Sequence, residues 1–248
     1  MWCRSWIDFV HEVALTRVGL IADVHGNAHA LEAVLRSMRE TGVDQVLFAG
    51  DFVGYYYEPA RCFDLLAAWR LTAAVRGNHE DMLAARLNSP LLAADLIVQF
   101  GHGLEAAVTE LSPKQHEWLA SLPVTARVKI DSTRILLCHG APWSTNEYVY
   151  PEAAADIFMR CAESGDDVIV LGHTHCPGVW RVANSCIINP GSVGQPRRGT
   201  LGAEWALLDL DTGAVTQHAV PYDVTPVTMR ARVTDPHHQF LWQILERV

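Results

Sequence analysis

The sequence lacks an excess of positive charge, a disulfide framework and any long apolar run. Its 248 residues carry 19 Lys and Arg against 28 Asp and Glu, a net charge of -9. Nucleic-acid binding is driven largely by Lys and Arg that release counterions, so this balance argues against strong nucleic-acid binding. A local cationic site would have to be built from metal. The six cysteines (Cys3, Cys62, Cys138, Cys161, Cys176 and Cys186) form no C-x-x-C pair and are too sparse for a stapled secreted domain. They read as reduced thiols of a cytoplasmic protein. No stretch approaches the ~18 uninterrupted apolar residues of a membrane span, which points to a soluble chain with no membrane partner. The opening segment, broken by Arg4, Asp8, His11 and Glu12, has neither the core nor the cleavage site of a signal peptide. Residues 1–16 are expected to be an N-terminal extension, either an extra helix or an over-long start, ahead of one domain over 17–248. Repeats, linkers and low-complexity segments are also missing.

What the sequence does contain is short apolar runs bounded by turn residues and separated by stretches with helical spacing, the pattern of a layered α/β fold. Strands are expected at Val18 to Ala22, Val46 to Ala49, Ala73 to Val75, Val124 to Ile130, Ile135 to Cys138 and Val168 to Leu171. Leu31, Val34, Leu35 and Met38 share one helical face, with Gly42 placed to end that helix at positive φ. Pro59 opens a second helix. Leu91 to about Leu111 has helix-forming composition, and Pro113 opens another helical stretch behind the expected cap Ser112, before Leu122 and Pro123 interrupt it. Asp131 and Ser132 suit a hairpin, and another helix is expected near Pro151 to Glu163. The final third, with turns at Asn184-Ser185 and Asp211-Thr212-Gly213, reads as antiparallel strands followed by a tail or helix.

Asp23, Asp51, Asn78, His139 and His173 each follow one of the apolar runs. In open α/β sheets the ligand crevice lies beyond the carboxyl ends of the strands, so these five endings would converge. Any one of the residues could instead cap a helix, serve a turn or sit satisfied in the core. Five blocks in order, Asp23-Val24-His25, Gly50-Asp51, Gly77-Asn78-His79-Glu80, His139-Gly140 and Gly172-His173-Thr174-His175, weigh against coincidence. Together they resemble the signature of the calcineurin-like metallophosphoesterase superfamily, from Val18 to about Arg197.

The resemblance implies a four-layer α/β sandwich of two mixed sheets flanked by helices, with Asp23, His25, Asp51, Asn78, His139, His173 and His175 holding two divalent metal ions. Carboxylate, amide and imidazole donors suit Mn, Fe, Co, Ni or Zn rather than Mg or Ca. Seven side chains exceed one tetrahedral site but suit two metals sharing a carboxylate. By similarity, Asp51 bridges, Asp23, His25 and His175 complete one site, and Asn78, His139 and His173 complete the other. Four positive charges against two carboxylates leave a cationic centre able to hold a phosphoryl group and activate water to hydroxide near neutral pH. Asn78 and His79 would contact substrate, with His79 as general acid or transition-state stabiliser, a role its motif position implies.

One branch of the family carries an Arg-containing extension after its Gly-Asp block, whereas this chain reads Gly50-Asp51-Phe52-Val53-Gly54-Tyr55. The phosphate-gripping Arg and the Asp that would orient His79 are both missing there, which argues against a protein phosphatase. The segment from Asn189 to Arg197 is similar to a loop of small bacterial and archaeal phosphodiesterases, and Arg197 is the expected replacement, able to pair with phosphate. The expected function is therefore metal-dependent hydrolysis of a small or nucleotide-like phosphodiester. The alternatives are a phosphomonoesterase, a protein phosphatase, a dinucleoside polyphosphate hydrolase, or a non-catalytic scaffold. Tyr55, Tyr56, Tyr57 and Trp143 follow site blocks and read as packed cleft wall rather than a stacking surface, and Cys176 as a buried neighbour rather than an extra ligand. His11, His29, His102, His116, His218, His237 and His238 fall outside the blocks and carry no assigned role.

Overall fold

A computed structural model describes residues 16–198 and 201–247. Apart from Thr16, the expected N-terminal extension lies outside the described residues. Strand β1 (Arg17–Ile21) leads through helix α1 (Ala28–Glu40) to β2 (Gln45–Phe48), then through α2 (Pro59–Ala67) to β3 (Leu71–Ala74). Four helices follow, α3 (Asn78–Asn88), α4 (Ala93–Phe100), α5 (Gly103–Glu110) and α6 (Pro113–Ser121). The hairpin β4 (Thr125–Ile130) and β5 (Thr133–Cys138) begins the second half, continued by α7 (Ala155–Ala162), β6 (Val168–Val170), β7 (Gly178–Val182) and β8 (Ser185–Asn189). Strands β9 (Ala203–Asp209) and β10 (Ala214–Val220) precede α8 (Thr225–Thr234) and α9 (Phe240–Gln243).

The strands form two five-stranded sheets, ordered β10-β9-β1-β2-β3 and β4-β5-β6-β8-β7. Both are mixed: β1, β2 and β3 run parallel with β9 antiparallel to β1, and β5, β6 and β8 run parallel with β4 and β7 antiparallel at the edges. Period-2 alternation explains the layering. Val18 and Leu20 of β1 face Ile135, Leu137, Val168, Val170 and Ile188 of the other sheet, forming the apolar layer between the sheets. Ile21 and the alternate residues of β2, Val46 and Phe48, face outward onto α1, α2 and α5. On the opposite side Leu136, Ile169 and Ile187 pack against Phe158 and Cys161 of α7. The order is therefore helix, sheet, sheet, helix, as expected.

Local signals explain most of the element boundaries. Asn27 caps α1 by accepting from the Ala30 N–H, and Gly42 at φ 70° ends it while the Val43 N–H donates to the Met38 carbonyl. Ser112 and Gln115 cap α6 reciprocally. Two expectations need correction. The stretch from Leu91 to Leu111 is a 3-10 turn (Pro90–Leu92) followed by two helices, because the C-terminal segment intercepts its backbone. His238 Nε2 donates to the Val98 carbonyl, and the His102 N–H that would have filled it donates to Asp235. The turn near residue 184 is Ala183-Asn184, and Ser185 is buried in β8, where its hydroxyl donates to the Asp166 carbonyl. The final third forms antiparallel hairpins β7–β8 and β9–β10 followed by helices, as expected, with β8 also pairing parallel to β6.

Candidate metal centre and active site

The seven expected ligands come together where the carboxyl ends of both sheets meet. Only His139 directly follows a strand; Asp23, Asp51, Asn78 and His173 sit two to four residues beyond β1, β2, β3 and β6. Those extra residues form tight turns. Asp23, His25, Asp51, His173 and His175 all have positive φ, from 51° to 66°. The left-handed region costs a non-glycine residue about 1–2 kcal/mol, although Asp and His tolerate it better than most. The loops are held there by one another: Asp23 N–H donates to Gly50 O, His25 N–H to Asp51 O, Val193 N–H to Ala22 O and Gly194 N–H to Asp23 O. This is backbone strain over-determined by its surroundings at a site of chemistry.

The imidazoles are aimed by their far nitrogens. Nδ1 of His25 donates to Val53 O at 3.0 Å, Nδ1 of His139 to Ala49 O at 2.8 Å and Nδ1 of His175 to Gln195 O at 2.6 Å. A carbonyl can only accept, so each of the three carries a proton on Nδ1, and Nε2 of His25 and His175 turns a lone pair inward, the arrangement seen behind metal ligands. His25 and His175 bring these Nε2 atoms to 3.1 Å of each other with no proton between them to share, and His173 Nε2 is buried without any hydrogen-bond partner among the described residues. Converging lone pairs of this kind call for a cation.

The ligand atoms fall into overlapping groups: Asp23, His25 and His175; Asp51, His139 and His173; and His25, Asp51 and His79. Asp51 Oδ2 lies 3.7 Å from His25 Nε2 and 3.2 Å from His139 Nε2, touching both sets, while Oδ1 accepts the His79 N–H. Asn78 joins the second set, its Oδ1 at 3.1 Å from His139 Nε2.

Burial pushes the carboxyl of Asp23 up to about 8, with the nearby Asp51 charge adding to it. Asp51 moves the other way: burial would raise it, but His139 and His79 outweigh that and hold it well below the usual range. His139 is the counterpart, raised to about 10 because Asp51 and Asp23 overcome its desolvation. Burial drives His25 and His175 well below the ordinary imidazole value and His173 down to about 4. Those three are neutral at physiological pH, the state a metal requires.

The expected outer residues divide. His79 lies in the group, Nε2 at 4.0 Å from Asp51 Oδ2, and burial lowers its pKa. As the missing Asp foretold, its Nδ1 is buried with no partner among the described residues. Aromatic rings hold it instead, with His25, Tyr55 and Phe100 at 4.7, 4.9 and 5.3 Å between centroids. Gly54 makes room for this, since a Cβ there would come within 2.5 Å of His79 Nδ1. Arg197 enters the same cleft of about 170 Å³ as Asp51, Asn78, His79, His173 and His175. Its guanidinium donates to two neutral groups, Tyr55 Oη and Gln195 Oε1, so its charge is left for an anion. Tyr55, Tyr56 and Tyr57 are buried wall, and Trp143 packs under the Arg160 guanidinium. Cys176 is buried, its thiol donating to Thr174 O, and it joins none of the ligand groups. The five cysteines among the described residues are free thiols.

Sequence reasoning missed several residues. Glu80 is buried and accepts from the N–H groups of Asp51, Phe52, Val53 and Gly77, organising both loops; its place in the Gly77-Asn78-His79-Glu80 block was the available signal. Phe100 and Tyr148 also line the cleft, and no motif announced them.

With this geometry in place, the comparisons decide the lineage. The family model for the calcineurin-like phosphoesterase superfamily domain matches residues 16–213. The chain belongs to this superfamily. It is 26% identical over 225 residues to an uncharacterized protein of Methanocaldococcus jannaschii, covering 84% of this chain and 88% of that one. It is 25% identical over 197 residues to the phosphodiesterase YfcE of Escherichia coli, covering 78% and 88%. Among solved structures, a metallophosphoesterase from Sphaerobacter thermophilus superposes with a TM-score of 0.76 at 28% identity, over 94% of this chain and all of the other. A hypothetical protein of Pyrococcus horikoshii shares the fold with a TM-score of 0.80 at 20% identity, over 93% and 98%. These relatives match the small bacterial and archaeal branch that the sequence resembles. The chain is a metal-dependent phosphoesterase of the calcineurin-like superfamily, with His and Asp clusters suited to divalent metal. Among the described residues no helix is long and apolar enough to cross a membrane.

Proposed function

We propose that this calcineurin-like phosphoesterase is a phosphodiesterase working with two divalent cations, Mn first among them, acting on a small or nucleotide-like phosphate ester. Asp23, His25 and His175 would hold one cation, Asn78, His139 and His173 the other, with Asp51 shared. The observation that carries this reading is the placement of Asp51 Oδ2 between His25 and His139, two inward-facing imidazoles on opposite sheets. When bound, the cations supply Lewis-acid activation of water and neutralise charge on the phosphoryl oxygens.

The chain's own residues do the rest. Arg197 and the NH2 group of Asn78 bind the phosphoryl oxygens, and His79, neutral because it is buried, donates a hydrogen bond where charge develops on the leaving oxygen. Water adds to phosphorus, the P–O bond to the leaving group breaks, and a monoester and an alcohol depart, the alcohol taking the proton. Two features support a diester over a monoester. Beyond the candidate ligands the cleft is lined by Met82, Gln99, Phe100, Asn146 and Tyr148, which gives ester substituents a surface beside the centre. A relative over most of the chain is the phosphodiesterase YfcE.

The test is hydrolysis of bis-p-nitrophenyl phosphate beside p-nitrophenyl phosphate on metal-stripped protein reloaded with Mn, Ni, Zn or Mg. Metal-dependent turnover of the diester, faster than the monoester, is the expected result. Faster monoester turnover would make the protein a phosphatase.

A further inference from the structure

The four imidazoles of the proposed centre are oriented in two different ways. His25, His139 and His175 each donate from Nδ1 to a backbone carbonyl, at 3.0, 2.8 and 2.6 Å. His173 makes no such bond. It is 5% exposed, its Nε2 is buried, and neither ring nitrogen has a hydrogen-bond partner among the described residues. Its ring lies instead against two others, His139 in a T-shaped contact at 4.9 Å and Tyr148 at 4.0 Å and 32°.

The chain around Tyr148 fixes that contact. After His139 the loop folds back on itself, Ala141 and Ser144 exchanging backbone hydrogen bonds at 2.8 and 3.1 Å. Successive side chains of an extended segment point to opposite sides. Val149 is buried among the apolar residues beneath the second sheet, so Tyr148 and Tyr150 emerge together, their rings stacked at 5.6 Å and 9°. The Ala153 N–H donates to Tyr150 O and ties down the end of the segment. The Tyr148 hydroxyl has no hydrogen-bond partner among the described residues, which leaves the ring as the part that acts.

We infer that Tyr148, supported by Tyr150, is a positioning residue for His173, its ring setting the plane of the one ligand imidazole of the four that no backbone carbonyl aims. The inference rests on the proposed use of His173, with Asn78 and His139, to hold a cation. An imidazole binds metal along one direction in its own plane, so a ring free to turn binds less tightly, and outer groups that fix this plane are worth about 10- to 100-fold in metal affinity. Here an aromatic ring takes the place of the usual carbonyl. The consequence is asymmetry between the two metal positions. Both imidazoles beside Asp23 are aimed by carbonyls, whereas the position beside Asn78 depends on Tyr148 for one of its two, and is the looser of the pair.

The test is calorimetric titration of metal-stripped protein with Mn, which reads metal binding without turnover. Tyr148→Leu is expected to weaken the looser ion about tenfold and the tighter one less than about twofold. Tyr148→Phe keeps the ring and should keep both affinities, while Tyr150→Leu, which removes only the support, should weaken the looser ion about threefold. In a His173→Ala background there is no imidazole left to aim, so Tyr148→Leu should leave the remaining metal binding unchanged. Equal weakening of both ions, a Phe variant as impaired as the Leu variant, an unaffected Leu variant, or a further loss in the His173→Ala background would overturn the inference. If the wild type binds a single ion, the two-cation reading falls, and the positioning role stands or falls separately on whether Tyr148→Leu, but not Tyr148→Phe, weakens that ion.

Discussion

The floor and the rim of the cleft are built on different plans. The floor is seven side chains beyond the strand ends, all buried except the half-buried Asn78, with three of the imidazoles aimed by backbone carbonyls and the strain held by both sheets. The rim comes from segments far apart in the chain: Phe100 at the end of α4, Tyr148 after β5, and Arg197 after β8. Part of the rim is held by the C-terminal segment, the Arg247 guanidinium donating to the carbonyls of Pro196 and Arg197. A rigid floor serves chemistry common to a superfamily, while a rim of loops can vary to choose the ester. Damage to the floor should therefore abolish turnover of every substrate, and damage to the rim, Tyr148 apart, should change which substrate is preferred.

The largest effect expected is at Asp51. Asp51→Asn should cost more than about a hundredfold in activity and release metal together with it, since even groups behind the ligands are commonly worth 10- to 100-fold in metal affinity. Elemental analysis beside turnover checks this. Next, His79→Ala should slow turnover by about a hundredfold while metal content is unchanged. His79 stands close enough to His25 and Asp51 to act as a ligand, so loss of metal in this variant would move it from catalysis into the floor. Arg197→Ala, on the rim, should raise KM about tenfold with little change in kcat, as expected for lost charge-assisted binding of phosphate.

The smallest effect lies behind the rim, at Asp235. Its carboxylate accepts from the His102 N–H and Tyr57 Oη and pairs with His102 Nδ1 at 2.6 Å, tying the C-terminal helices to the turn beside Phe100. Burial alone would raise its pKa, but these hydrogen bonds prevail and hold it below the usual carboxylate value. A depressed folded pKa gives stability that is present above the unfolded value near ~4 and lost as pH falls through the folded one. Asp235→Asn should therefore lower stability by about 1 kcal/mol at pH 7, with the gap closing in acid, as followed by thermal melting.

The same contrast explains what could be read from the sequence. The floor was legible because its ligands sit in short blocks beside apolar runs, and both signals are local. Glu80 was visible in its block, but its role required knowing that two loops point their N–H groups at one spot. The rim was not legible. Helix composition across Leu91 to Leu111 gave no warning that Asp235 and His238, more than a hundred residues later, would break the helix at Gly101 and leave Phe100 facing the cleft. The Tyr55-Tyr56-Tyr57 run drew notice by its position after Asp51 and proved to be packed wall. Tyr148 drew none, because its exposure depends on where Val149 is buried. Arg197 is the exception, reached through a resemblance over its loop rather than through any local pattern.

The most direct test of the account is a titration of metal-stripped protein with Mn while hydrolysis of bis-p-nitrophenyl phosphate is followed. Shared use of Asp51 predicts activity that rises to a plateau at two equivalents of bound metal per chain. A plateau at one equivalent, or undiminished turnover without added metal, would contradict it.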